Sequence, residues 1–106
     1  MPKPKKIVIV TATNHPYHDM WMKLAKEAAE KLGTELEVKY EDYVYLVDHG
    51  DTDEYGMAWL PQILIELDNG EVKVLLSQLP LNEAFQPDYE KALETILKKA
   101  GELAEE

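Results

Sequence analysis

The sequence predicts an α/β fold in which a four-stranded mixed sheet carries helices on both of its faces. Three observations predict it: a β-branched apolar run near the N-terminus, two stretches with the apolar spacing of amphipathic helices, and a hairpin signal between two later apolar runs. The element order is then β-α-β-(α)-β-β-α. No linker or internal repeat interrupts the chain, and we expect one domain over residues 1–106.

The first predicted strand is the continuous apolar run KKIVIVTA of residues 5–12, a pattern typical of a strand that is buried on both faces. A helix follows, with His15 as its N-cap, Pro16 at its first position and Gly33 as its stop. Its apolar face comprises Trp21, Leu24, Ala25, Ala28 and Leu32. A compact strand–helix–strand unit favours parallel pairing of its two strands.

The second predicted strand covers residues 35–48, ELEVKYEDYVYLVD, where apolar and polar residues alternate, with room for a bulge near Asp42. Residues 49–56, HGDTDEYG, are interpreted as a loop or a short helical turn.

A β-hairpin is predicted next, because the runs PQILIEL and EVKVLLSQL flank Asp68-Asn69-Gly70. Residues 80–88, PLNEAFQPD, are interpreted as a connector. A last helix is predicted from Pro87 onwards. Its apolar face comprises Tyr89, Ala92, Leu93, Ile96, Leu97 and Ala100.

The charge balance argues against several classes of partner. The net charge is −10, from 21 acidic residues against 11 basic ones, and every basic residue is a lysine. Such a surface repels phosphate backbones and lacks the arginine fork that reads guanine, so we expect no nucleic-acid binding. No apolar run approaches the roughly 18 residues of a membrane span, and no signal peptide is recognisable. We expect a cytoplasmic monomer.

Missing residue types exclude further chemistry. The chain has no cysteine, which excludes thiolate nucleophiles and disulfides. Its single serine, Ser77, lies in an apparent strand, so a serine hydrolase would lack its nucleophile. The absence of arginine and cysteine, together with helices rich in Lys, Glu and Ala, is typical of a thermostable protein or of an engineered chain. Both origins remain open.

Two stretches resemble the thioredoxin and glutaredoxin family. HPYH, residues 15–18, follows the first strand where glutaredoxins carry Cys-Pro-Tyr-Cys. YGMAWLPQILIELDNGEV, residues 55–72, is similar to the thioredoxin segment that joins Tyr-Gly-Ile-Arg-Gly-Ile-Pro-Thr to an Asn-Gly-Glu-Val turn. The resemblance covers residues 5 to 100 and implies a thioredoxin-like fold. It also implies that Pro61 follows a cis peptide bond, faces the HPYH turn and lines a substrate groove with Trp59 and Leu60.

The departures from the family remove its chemistry. Thiol–disulfide exchange needs an attacking thiolate, and the imidazoles of His15 and His18 cannot supply one. Ile9 stands where thioredoxins bury an acid, and Ala12 stands where glutaredoxins commonly carry a lysine. The resemblance therefore implies the fold, the groove and the exposed turn without oxidoreductase activity, and we assign no catalytic residue.

The histidines raise the hypothesis of a metal site. His15 and His18 follow the first strand and His49 follows the second, so a parallel pair would bring all three to one sheet edge. The hypothesis is a divalent transition metal held by His15 and His18, with His49 as the third ligand where it joins them; three imidazoles with one open position suit zinc, copper or nickel.

Two alternatives carry no metal. In the first, the histidines replace the family's cysteines, and the chain is a redox-inactive scaffold or a peptide-binding module that takes an extended peptide by strand addition beside Pro61. In the second, the histidines act as general acid–base groups, for which the sequence shows no partner arrangement.

Overall fold

The computed structural model of the protein describes residues 3–104; the outermost positions of the expected domain, residues 1–2 and 105–106, lie outside the described residues. Three helices and a four-stranded mixed sheet follow each other in the predicted order. The strands are β1 (Pro4–Thr11), β2 (Glu35–Tyr40), β3 (Gln62–Leu67) and β4 (Val72–Leu76), and the helices are α1 (His18–Leu32), α2 (Tyr43–His49) and α3 (Tyr89–Ala104).

The strands lie in the order β2-β1-β3-β4. β1 pairs in parallel with β2 and antiparallel with β3, and β4 closes the sheet as an antiparallel hairpin with β3. The hairpin turns at Gly70, whose φ of 90° is a left-handed conformation that glycine adopts without steric cost. Because Val10 pairs with Gln62, the last residues of β1 and the first residues of β3 lie at the same end of the sheet. The HPYH turn, which follows β1, and Pro61, which precedes β3, therefore lie at this end of the sheet.

Successive side chains of a strand point to opposite faces, and this alternation divides the core in two. Ile7 and Ile9 of β1 pack with α1 and α3, which cover one face of the sheet. Val8 and Val10, their neighbours in the same strand, pack on the other face with Leu46 of α2. The helices therefore cover both faces, as predicted, although α2 supplies only one fully buried side chain.

The predicted second strand is too long, because the chain leaves the sheet after Tyr40. Glu41 adopts a φ of 52°, and Asp42 then caps α2 by accepting a hydrogen bond from the Tyr45 amide at 3.0 Å. An aspartate at an N-cap satisfies an amide that would otherwise lack a partner, and this favours a helix over continued strand. The short helix expected within residues 49–56 thus lies earlier, at Tyr43–His49.

The ends of the long helices differ from the prediction at one terminus each. α1 ends at Gly33, as predicted, with a φ of 68° and its amide bonded to the helix carbonyls. α3 begins at Tyr89, two residues after the predicted Pro87, and Asp88 accepts a hydrogen bond from the Lys91 amide at 3.0 Å.

The Cα radius of gyration is 13.2 Å, close to the value of about 13 Å for a compact chain of roughly 100 residues. Among residues 3–104, none of the helices has the length and apolar character that crossing a membrane requires.

Candidate functional site

Two consecutive turns, Ala12–His15 and His15–His18, precede the helix, and the second of them is the HPYH segment. The His15 amide donates to the Ala12 carbonyl at 3.0 Å, and the His18 amide donates to the His15 carbonyl at 3.1 Å. The first bond of the α-helical kind runs from Trp21 to the Tyr17 carbonyl, at 3.0 Å. The helix therefore starts at His18 with Tyr17 as its N-cap residue. The prediction that His15 caps the helix and Pro16 opens it was wrong, because three-residue hydrogen-bond spacing continues through residue 18.

Each histidine of the turn uses one ring nitrogen within the protein. Nδ1 of His15 accepts a hydrogen bond from the Tyr17 amide at 3.0 Å. Nδ1 of His18 lies 2.9 Å from Oγ1 of Thr11, a fully buried side chain at the end of β1. The two imidazoles thus bind to the backbone and core that carry them, and they stabilise the shape of the turn.

The predicted three-histidine metal site is not assembled. Within residues 3–104, no group of three or more His, Asp or Glu side chains is placed to hold a metal ion. His49 does not follow β2, since it is the last residue of α2, where its ring lies 4.9 Å from that of Tyr45. This difference has the same cause as the shortened strand: Asp42 starts a helix, so His49 ends α2 instead of following β2.

The opposite wall of the site is the segment before β3. The Leu60–Pro61 peptide bond is cis, as predicted. Trp59 is fixed by a hydrogen bond from its indole nitrogen to the Ser77 carbonyl at 2.9 Å. Trp59, Leu60 and Pro61 line the same groove as His15 and Tyr17 of the HPYH segment. The predicted groove residues and the turn are therefore neighbours in space.

A buried glutamine holds this wall in place. Gln62 is fully buried. Its Oε1 accepts a hydrogen bond from the Asp51 amide at 2.9 Å, and its Nε2 donates to the carbonyls of Asp51 and Trp59 at 2.9 and 3.0 Å. One side chain thus joins both ends of the loop between α2 and β3.

Gly50 lies against this glutamine, so replacing Gly50 with alanine is expected to destabilise the protein. The added Cβ would lie 2.7 Å from Oε1 of Gln62 and 2.8 Å from Cδ2 of Leu46. Because the backbone at Gly50 is extended, the cost comes from overpacking alone, and we expect the free energy of unfolding to fall by about 1 to 3 kcal/mol. Urea denaturation followed by circular dichroism measures it.

Gly101→Ala is the matched control for this substitution. Nothing lies within 4 Å of a Cβ at Gly101, and alanine within a helix is favoured over glycine by about 0.5 to 1 kcal/mol. The control should therefore be slightly more stable than wild type. Equal stability of Gly50→Ala and wild type would show that the loop does not pack as described.

The third wall is the loop between β4 and α3, for which the sequence predicts only a connector. Asn82 organises this loop, because its Oδ1 accepts hydrogen bonds from the amides of Ala84 and Gln86 at 2.8 and 3.1 Å. Phe85 adopts a φ of 60° and leaves 83% of its side chain exposed. A non-glycine residue in this conformation is a candidate for a functional role, and the loop sequence alone does not show it.

Together these walls border an open, largely apolar groove of about 400 Å³, referred to below as the apolar groove. It is lined by His15, Tyr17, Trp21, Trp59, Leu60, Pro61, Ser77, Gln78, Leu79, Leu81, Phe85 and Pro87. The lining contains no lysine, aspartate or glutamate, and both tryptophans of the chain belong to it. Concave apolar surfaces with a few polar groups are typical of ligand sites.

Comparisons with known proteins supply no family for this chain. No family model matches the sequence, and the searches of curated proteins and of solved structures found no match.

Proposed function

We propose that this chain is a thioredoxin-like protein without a redox dithiol, and that it binds an extended apolar peptide segment non-covalently in the apolar groove. The observation that carries the proposal is the apolar groove itself, which is open, largely apolar and bordered by the HPYH turn and the cis Leu60–Pro61 bond. The thioredoxin-like part is supported by the strand order β2-β1-β3-β4 and by the position of HPYH directly after β1. With no cysteine in the chain, binding replaces thiol chemistry.

Backbone groups beside Pro61 favour an extended ligand. Pairing between β1 and β3 ends at Val10 and Gln62. None of the hydrogen bonds found among residues 3–104 uses the amide or the carbonyl of Leu60. Since an unpaired amide and carbonyl can add a strand, a peptide in the apolar groove would bond to Leu60 and place alternate side chains against Trp59 and Phe85.

The test is a titration with short peptides, read from the protein's own fluorescence. The probes are acetylated and amidated octapeptides without tryptophan, whose four central residues combine Val, Leu, Ile and Thr between Ser-Ser flanks. Because Trp21 and Trp59 both line the apolar groove, we expect saturable changes in tryptophan emission with one peptide per chain. Proline at a central position removes a backbone donor and should weaken binding.

Replacing Phe85 with asparagine is expected to weaken peptide binding about tenfold. The change removes an aromatic contact, whose burial contributes roughly 1.5 kcal/mol or more. Asparagine also tolerates the left-handed backbone of Phe85, so the fold should be kept. The measurement is the dissociation constant from the same fluorescence titration.

Val44→Asn is the control for the Phe85 substitution. Val44 is 75% exposed on α2 and does not line the apolar groove, so its replacement should leave the dissociation constant unchanged. Absence of saturable binding by every Ser-flanked peptide at millimolar concentration, or equal losses in both variants, would refute the proposed function.

A further inference from the structure

Charge is unevenly distributed between the two ends of the sheet. The end that carries the apolar groove is built from residues 12–22, 40–61 and 77–88, which contain no lysine, in a chain without arginine. These segments do contain carboxylates, at Asp19, Glu41, Asp42, Asp48, Asp51, Asp53, Glu54, Glu83 and Asp88. The lysines lie outside these segments. Lys39, which immediately precedes one of them, is paired with Glu37 and Asp42, and Lys23, which follows another, lies 5.0 Å from the centre of the Tyr89 ring. The groove end therefore carries negative charge without a cation of its own.

Two of these carboxylates belong to segments that also line the site. Glu41 lines a second cleft, the Glu41 cleft, which shares His15, Trp59 and Leu60 with the apolar groove and so continues it beyond the HPYH turn. Glu83 lies between Leu81 and Phe85 in the loop that forms the third wall. Neither glutamate takes part in the ion pairs found among residues 3–104.

A third carboxylate is bonded to a residue of the groove lining. Oδ2 of Asp51 accepts a hydrogen bond from Oγ of Ser77 at 2.6 Å, and Ser77 lines the apolar groove. This bond orients an exposed carboxylate at the rim. The site thus combines an apolar floor with anionic positions on its margins.

We propose that the ligand is an extended peptide with an apolar centre and lysine or arginine residues on both sides of it. This inference rests on the proposed function. The apolar centre fits the uncharged lining, and the basic flanks would reach Glu41 at one end and Glu83 at the other. Complementary charge at the rim of an interface accelerates encounter and disfavours partners of the wrong sign. An acidic peptide would meet these unpaired carboxylates and be repelled.

The experiment compares three sets of octapeptides that share the same apolar cores and differ only in their flanks, which are Lys-Lys, Ser-Ser or Glu-Glu. At about 20 mM salt we expect the Lys-flanked set to bind about tenfold more tightly than the Ser-flanked set, and the Glu-flanked set more weakly than both. At about 500 mM salt the Debye length falls to roughly 4 Å, and the advantage of lysine should shrink below about threefold.

A double variant, Glu41→Gln with Glu83→Gln, locates the effect. It should lower the ratio of Lys-flanked to Ser-flanked affinity at least threefold. The control is Glu30→Gln with Glu102→Gln, which changes the net charge equally near the ends of α1 and α3. Glu30 lies 12 residues beyond the start of α1, or about 18 Å along the helix, so the ratio should stay at the wild-type value.

The possible outcomes separate this inference from the proposed function. Equal binding of Lys- and Ser-flanked peptides, or equal changes in the two double variants, overturns the inference and leaves the groove as a peptide site. Failure of both Ser- and Lys-flanked sets to bind overturns both. Tight Lys-flanked binding that depends on Glu41 and Glu83, together with weaker but saturable binding of the Ser-flanked set, supports both.

Discussion

Replacing Gln62 with leucine is expected to lower the free energy of unfolding by about 3 kcal/mol. Gln62 is fully buried and makes three hydrogen bonds, two with the backbone of Asp51 and one with the carbonyl of Trp59. Leucine has a similar size but offers no polar atom, so one amide and two carbonyls would lose their partner. Buried groups left without a partner cost about 1 to 3 kcal/mol each, less where water reaches them. Urea denaturation gives the value.

The matched control is Gln86→Leu, which makes the same chemical change at an exposed position. Its effect should stay within about 0.5 kcal/mol. Gln62→Leu should also loosen Trp59, which appears as lower fluorescence anisotropy in the native state. A loss of stability below about 1 kcal/mol would show that water replaces the side chain, and that Gln62 does not hold the loop.

A double variant with cysteine at both His15 and His18 is expected to form a disulfide reversibly, although the wild-type chain contains no thiol. The two residues begin and end one turn, since the His18 amide donates to the His15 carbonyl at 3.1 Å. The ends of such a turn lie within about 7 Å between Cα atoms, and disulfides span about 4.4 to 6.8 Å. For so short a loop the chain-entropy relation gives about 2 kcal/mol of stabilisation. Thiol counting in glutathione buffers follows the reaction.

The single variant His18→Cys is the reference for this comparison, because the substitution also removes the contact with Thr11. Oxidised and reduced forms of the double variant should differ in denaturation midpoint, while the single variant should show no such difference. If the double variant keeps two free thiols under mildly oxidising conditions, the HPYH turn is unlike the family's dithiol motif. The thioredoxin-like part of the proposal would then be wrong, whereas peptide binding would remain to be judged from the titrations.

Much of the framework could be predicted from the sequence because each of its signals is local. The β-branched run of β1 and the Asp68-Asn69-Gly70 turn depend on neighbouring residues alone, and both lie in the structure where they were predicted. The region after Tyr40 could not be predicted in the same way. Its alternating pattern suits a strand, but the cap at Asp42 and the burial of Leu46 on the sheet favour a helix.

The candidate site could be predicted only in part, for a similar reason. Trp59, Leu60 and Pro61 were expected to line a groove and do so. The metal hypothesis rested on spacing along the chain, which does not show that Nδ1 of His15 bonds to the Tyr17 amide and Nδ1 of His18 contacts Thr11 of β1. The loop that carries Phe85 was missed because its apolar residues face the groove only after β4 and α3 are positioned.

The separation of charge described above gives the molecule an electric dipole moment whose negative end lies at the groove. Lys5 and Lys73 are the second residues of β1 and β4, and these strand starts lie at the end of the sheet opposite the groove. A dipole turns in an external field, so the molecule approaching a positively charged surface would rotate until its groove faces that surface. On an anion-exchange resin, the chain should therefore adsorb through its groove end. A chain immobilised in this way would present a blocked groove, whereas coupling through a lysine amine would leave the groove open.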